Sequence, residues 1–314
     1  MVKRDIYIYS FILGFLSIFS QTFIFRELSF TLRSNELILS LLLFYWLFFG
    51  GLGSSVGIPH PKLFGKFFIF LLLVPLSILL AKMWAAVIQH SPGEFFSLPQ
   101  VIAVMSLLLI PFCYLTGSIF LELSRKFTRL GGKPYKMYAS DGTGAMIGGV
   151  LTYFVIAQGS ALWILCIASM VTALFLIGWE QRWRGWGIVL LIIILPVALL
   201  SNKLEMKFNS LLWEGFTIEK TIESKYTRST ILSHRNEKFL YQGGSLVAAS
   251  GDSVSPELLV HPIFSQLKEI NSAFVVGGVN LNIIPELEKY HICLLYTSDA
   301  ADELDGVDLG GRRI

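Results

Sequence analysis

Up to about position 200, apolar residues occur in long unbroken runs rather than at the helical or strand period of a half-buried element. A helix crossing roughly 30 Å of hydrocarbon needs about 20 such residues. The stretches 6–25, 37–58, 67–88, 101–121, 137–157, 161–179 and 186–200 are candidates, the last being short and holding Pro196. From about Asn202 the pattern changes to charged and β-branched residues with a shorter period. Residues 216–220, 228–233, 238–241 and 245–248 read as strands, with turns at 235–237 and 242–244. After Pro256, residues 257–267 suggest a helix that tolerates Pro262 only near its first turns or at a kink. Residues 272–278 read as a buried strand entering a Gly turn, and 283–290 as a helix, the opening of a doubly wound fold.

Composition agrees with the pattern: 54% of residues are hydrophobic and 15% charged, against about 25% charged in soluble domains. The chain reads as a multi-pass protein of a prokaryotic plasma membrane, with the lipid bilayer as its first partner. Lys3 and Arg4 lead into a run longer than a signal-peptide core, with no small-x-small site behind it, so the first span is expected to be retained. Cys113 and Cys166 fall within spans and Cys293 near the end, which gives no disulfide framework or CxxC metal site. His60, His90, His234, His261 and His291 show no ligand spacing, so no metal is expected. A formal charge of +3 does not argue for nucleic acid.

The basic cluster Arg125, Lys126, Arg129, Lys133 and Lys136 lies between spans and reads as a cytoplasmic loop. Alternation then places Lys3, Arg4, Lys62, Lys66, Arg182 and Arg184 on the same side. Three further spans deliver the C-terminal segment to the extracytoplasmic side, whereas a cytosolic nucleotide cofactor would require the opposite.

Within the spans, Gly53-Ser54-Ser55-Val56-Gly57 fits a nucleophile elbow by letter, but it ends an apolar run and has no assignable partners. In the fifth span Ser140, Gly144 and Gly148 fall four apart, as do Ala145 and Gly149, so one face can approach a neighbour closely. Asp141 beside them is costly in hydrocarbon. Either it lies in a first turn near Lys136, favoured by the helix dipole, or it is an intramembrane polar site pairing with Arg26 or Glu122. Arg26 and Glu27, followed by Arg33, Asn35 and Glu36, form a concentrated polar junction that interface anchoring explains.

The order of several motifs resembles the membrane-anchored relatives of spermidine synthase, the polyamine aminopropyltransferases. They are QTFIFRE from Gln21 to Glu27, YASDGTGAMIGG from Tyr138 to Gly149, SKYTRSTI from Ser224 to Ile231, FLYQGG from Phe239 to Gly244, ELLVHP from Glu257 to Pro262, and VVGG from Val275 to Gly278. The resemblance implies aminopropyl transfer from decarboxylated S-adenosylmethionine, a co-substrate rather than a covalently bound cofactor, to a polyamine. It implies Gly277, Gly278 and Glu286 at the cofactor and Tyr226, Asp252 and Glu257 at the polyamine. The family's catalytic aspartate would fall beyond Ile292. Thr227, Ser255, Val279 and Leu281 depart from the family pattern, the last two crowding a turn that uses glycine for positive φ and close approach.

The expected fold class is therefore an α-helical polytopic membrane bundle followed by a small β-meander and a truncated α/β domain, Rossmann-like and methyltransferase-type. Residues 1–201 form a bundle of about seven helices, 202–262 the β-rich part, and 263–292 the start of the nucleotide-binding part. Residues 293–314 switch to an acidic, Gly-rich composition without periodicity and read as translated sequencing adapter, which would leave the fragment inactive. The competing reading makes the bundle the functional part, moving or sensing a small cation, with a vestigial soluble domain and with a homo-oligomer as a further possible assembly.

Overall fold

A computed structural model describes residues 2–33, 36–57, 63–88, 96–179, 181, 183–224, 226–267, 270–276, 283–290 and 292–298. The chain divides into two compact units. The first comprises Met1–Glu214 together with Ile222–Ser229, and the second Gly215–Thr221 together with Thr230–Ile314.

The first unit is built from α1 (Lys3–Thr31), α2 (Glu36–Val56), α3 (Leu63–Ile88), α4 (Leu98–Arg129), α5 (Pro134–Val155), α6 (Ala161–Trp179) and α7 (Trp183–Leu212). Six of them, all except α5, are long and apolar enough to cross a membrane, as in a multi-pass membrane protein. The stretch 137–157, expected as a span, is a helix too rich in Gly and polar residues to qualify on composition. It nevertheless runs beside α1 and parallel to it: Ser140 Oγ donates to the Tyr7 carbonyl at 2.9 Å, and Arg26 Nη1 donates to the Ile156 carbonyl at 2.5 Å. Its 22 residues rise about 33 Å, the thickness of the hydrocarbon layer.

Odd-numbered helices share one direction. Tyr9 meets Phe67 and Glu27 meets Lys82 along α1 and α3, and Phe68 meets Trp186 while Lys82 meets Glu205 along α3 and α7. Pro75, Pro111 and Pro196 lie inside helices, where neighbouring helices can satisfy the freed carbonyls. The seventh helix corrects the sequence boundary, since it continues past Asn202 to Leu212. Residues 201–212 are charged yet still helical, so the change in composition marks the end of the apolar part and not of the helix.

A four-stranded sheet in the order β1-β2-β3-β4 is formed by Thr217–Glu223, Arg228–His234, Glu237–Gln242 and Ser245–Ala249, most of it in the second unit. The β1–β2 turn belongs with the first unit. Arg235 and Asn236 stand at φ 48° and 69°, and Gly243 and Gly244 at 57° and 86°, the positive values that tight two-residue hairpin turns require. The strands expected from the sequence are all present, and α8 (Val254–Phe264) follows with Pro262 inside it.

Beyond α8, β5 (Ser272–Val276) and β6 (Leu294–Ser298) pair in parallel, with α9 (Ile283–Glu288) between them in sequence. The segment from Cys293 is therefore not featureless throughout, because Leu294–Ser298 registers against β5 from Ser272↔Leu294 to Val276↔Ser298. Residues 299–314 of that segment lie outside the described residues. Two parallel strands are thus present among the described residues where one was expected.

Candidate functional site

Close backbone contacts divide the first unit into helix pairs. Gly144 and Gly148 on α5 face the backbone of Phe11 and Phe15 on α1, where any Cβ would collide. Gly14 on α1 meets the Asp141 backbone in the same way. The α2–α4 pair repeats the device, with Gly53 against Tyr114 and Gly117 against Gly50 and Ser54. Small residues let helices in lipid approach within van der Waals contact of their backbones.

Between the two pairs lies a groove of about 400 Å³. Its walls are Leu13, Gly14, Ser17 and Ile18 of α1, Trp46, Leu47, Gly50, Gly51 and Ser54 of α2, Cys113, Thr116, Gly117 and Phe120 of α4, and Tyr138, Asp141 and Ala145 of α5. Gly51, beside the glycines that draw α2 to α4, leaves the groove unfilled: a Cβ there would meet nothing within 4 Å. Among the described residues Asp141 is the only carboxylate on these walls.

Both sequence readings of Asp141 need correction. The helix begins at Pro134, so Asp141 lies beyond its first turn. Neither suggested partner reaches it: Arg26 pairs with Glu223 at 2.6 Å, and Glu122 is held by Lys66 and Lys126, each at 2.8 Å. Its carboxylate makes no hydrogen bond or ion pair among the described residues. A half-buried carboxylate beside small and apolar side chains is a strong point of attraction for a cation.

Arg26 and Glu27 belong instead to a buried ionic cluster. Glu27 of α1 contacts Lys82 of α3 at 2.8 Å and accepts from both terminal nitrogens of Arg228, at 3.2 and 3.4 Å. Lys82 reaches Glu205 of α7 at 3.1 Å, an ion-pair contact that lacks hydrogen-bond geometry and leaves Glu205 Oε1 otherwise unsatisfied. Glu223 bridges Arg26 and Arg228, and the Arg228 guanidinium lies 4.4 Å over the Phe30 ring. Three carboxylates thus balance three cations. Burial alone would pull the Arg228 pKa down, but the adjacent Glu27 and Glu223 carboxylates more than reverse this and raise it above its ordinary value. Mutual compensation is what allows such charges to be buried. The sequence flagged Arg26 and Glu27 as an interface anchor but missed Lys82 and Glu205. The readable signal was a lysine inside the apolar run 67–88.

Of the residues that the resemblance places at a polyamine and its co-substrate, Tyr226, Asp252, Glu257 and Glu286 are among the described residues. Tyr226 is 77% exposed in the β1–β2 turn of the first unit. In the second unit, Asp252 Oδ1 accepts from the backbone N–H groups of Val254 and Ser255 at 3.1 and 3.0 Å, closing the start of α8; hydrogen bonding from the Ser255 side chain first, and then these backbone bonds, lower its pKa. Glu257 is exposed in the first turn of α8. Glu286 is engaged by Lys289 at 2.5 Å and by His261 Nε2 at 2.9 Å, while His261 Nδ1 lies 2.5 Å from the Tyr290 hydroxyl. Asp252 and Glu286 therefore have local structural partners. Gly277 and Gly278 lie outside the described residues, as do Val279 and Leu281.

Among the described residues, no group of three His, Cys, Asp or Glu side chains could hold a metal ion. Compared with known proteins, the chain matches no family model, no curated protein and no solved structure.

Proposed function

We propose that the helical unit binds a small organic cation, an amine or short polyamine, in the groove between the α1–α5 and α2–α4 pairs, as a membrane transporter or sensor. The observation that carries this reading is Asp141, a carboxylate without a partner among the described residues on the wall of a groove of about 400 Å³. The Ser17, Ser54, Thr116 and Tyr138 side chains supply hydroxyls around it, and the remaining wall suits a methylene chain. An ammonium group would gain a charge-assisted hydrogen bond in a setting where water competes poorly.

Binding of putrescine and spermidine to the purified full chain in detergent, read by calorimetry, tests the proposal. Asp141→Asn should weaken binding at least tenfold, about 1.4 kcal/mol. Gly51→Leu should block the groove without loss of fold, since open space surrounds its Cβ position. Equal affinity of the wild type and both variants would sink the reading.

A second reading, an aminopropyltransferase-like enzyme in the membrane-anchored spermidine-synthase family, is favoured by one observation. The parallel β5–α9–β6 succession is how a doubly wound nucleotide fold begins. Under this reading decarboxylated S-adenosylmethionine is the co-substrate. Transfer of a labelled aminopropyl group to putrescine by this chain, above a no-protein control, would show that the reaction needs no more than the residues present.

A further inference from the structure

A second groove, of about 500 Å³, lies between α1, α5 and α6, and its walls differ in kind from those around Asp141. Tyr7, Phe11, Val171 and Phe175 make it almost wholly apolar, with Ser140 and Thr172 as the hydroxyl-bearing residues besides the tyrosine. Val171 and Phe175 are 60% and 48% exposed, so the groove opens sideways, where lipid would lie in a bilayer.

The end of this groove is basic and aromatic. Arg4 lies one turn before Tyr7 and Ile8 on α1, and its guanidinium stands 5.0 Å over the ring of Trp179, one turn after Phe175 on α6. Lys136 lies one turn before Ser140 on α5, which runs parallel to α1, so it stands at the same end. Lys3 also lies there, donating to the Gly131 carbonyl at 3.3 Å. Asp5, the acid in the first turn of α1, accepts from the Val2 N–H at 2.7 Å. Neither Arg4 nor Lys136 makes an ion pair among the described residues.

We infer that this groove seats an anionic phospholipid, one acyl chain lying against Phe11, Val171 and Phe175 and the phosphate held by Arg4 and Lys136. The almost wholly apolar wall suits a chain, and two cations without an ion pair among the described residues, one of them over an indole, suit a headgroup at the membrane interface. A zwitterionic lipid would satisfy the wall but gain little from the cations. A free phosphate would meet the cations without the wall.

The experiment uses the full chain purified in a non-ionic detergent, with dioleoylphosphatidylglycerol and dioleoylphosphatidylcholine added in equal amounts and bound lipid counted by native mass spectrometry. Phosphatidylglycerol should be retained in preference, and inorganic phosphate at the same concentration should not displace it. Arg4→Ala and Lys136→Ala, both at exposed positions, should each weaken that preference roughly fivefold. Val171→Trp should lower retention of both lipids while leaving their ratio unchanged. Equal retention of the two lipids by the wild type would overturn the inference, as would an undiminished preference in the double alanine variant. Should the tryptophan variant not fold, the headgroup preference of the wild type and of the exposed alanine variants still decides the matter.

Discussion

At the scale of single residues, Glu27 is the point on which the ionic cluster turns. It is buried, and it touches both Lys82 and Arg228. Glu27→Gln would leave three cations facing two carboxylates, and removing one partner of a buried pair costs about 3–5 kcal/mol. Thermal unfolding in detergent should show that loss. Combining Glu27→Gln with Lys82→Met restores the balance, so the double variant should be more stable than the sum of the single effects, and strict additivity would contradict coupling through the cluster. The sequence could not reveal this arrangement, because Arg228 lies 201 positions from Glu27 and nothing local marks the pair. Asp141 was legible as an unusual residue, but its surroundings were not. Its freedom from Arg26 follows from Glu223, which no local pattern connects to α1. Glu286 offers a pH test: the hydrogen bond from Lys289 outweighs partial burial and lowers its pKa from the ordinary value. A depressed carboxylate stabilises the fold above its unfolded pKa and loses that contribution as pH falls through the folded one. The Glu286–Lys289 pair should therefore lose its contribution only on acidification below the ordinary carboxylate range. Lys289→Ala should move the Glu286 titration upward in a carbon-detected NMR series, and an unchanged titration would reject the assigned cause.

At the scale of elements, the α1–α5 pair depends on the absence of side chains. The spacing of Ser140, Gly144 and Gly148 is visible in the sequence, which is why a close-packing face could be read there, although its partner could not. The partner is α1, and the contact is backbone to backbone at Phe11 and Phe15. A leucine at Gly144 cannot be accommodated by a rotamer change, since its Cβ itself would collide with a carbonyl. Overpacking usually costs about 1–3 kcal/mol, and a backbone clash belongs at or above the upper end. Gly144→Leu should lower the midpoint of unfolding in detergent, whereas Gly142→Leu on the same helix, whose Cβ would meet nothing within 4 Å, should change little. Equal effects would mean that helix propensity, not interhelical contact, governs the site. The strands of the sheet were legible for another reason: their turns at Arg235-Asn236 and Gly243-Gly244 carry local chemistry. The last turns of α7 were missed because Lys203, Glu205 and Lys207 resemble a soluble segment by composition while still following a helix.

At the scale of the whole chain, the direction of the helices bears on sidedness. Parallel odd-numbered helices put Lys3, Lys66, Lys136 and Arg184 at the end where α1 starts; Lys3 bonds the Gly131 carbonyl there, and Lys66 shares Glu122 with Lys126. Leu212, where α7 finishes, falls at the other end, and this depends on α5 crossing in full. By composition α5 is not among the six apolar spans. Its alignment with α1 from Tyr7 to Arg26 supports a full crossing. Lys/Arg bias then argues that the end bearing Arg125 to Lys136 faces the cytoplasm and that the exposed Ser210 faces out. With Cys293 changed to serine, the remaining Cys113 and Cys166 are buried. Ser210→Cys in that background should react with a membrane-impermeant maleimide on intact cells, and Lys133→Cys should react only after the membrane is opened. The reverse pattern would turn the protein over and bring the α7 terminus to the side where adenosyl sulfonium compounds are made, favouring the transferase reading. Labelling of both positions on the same side would instead mean that one helix of the bundle does not cross, and α5 is the first to test.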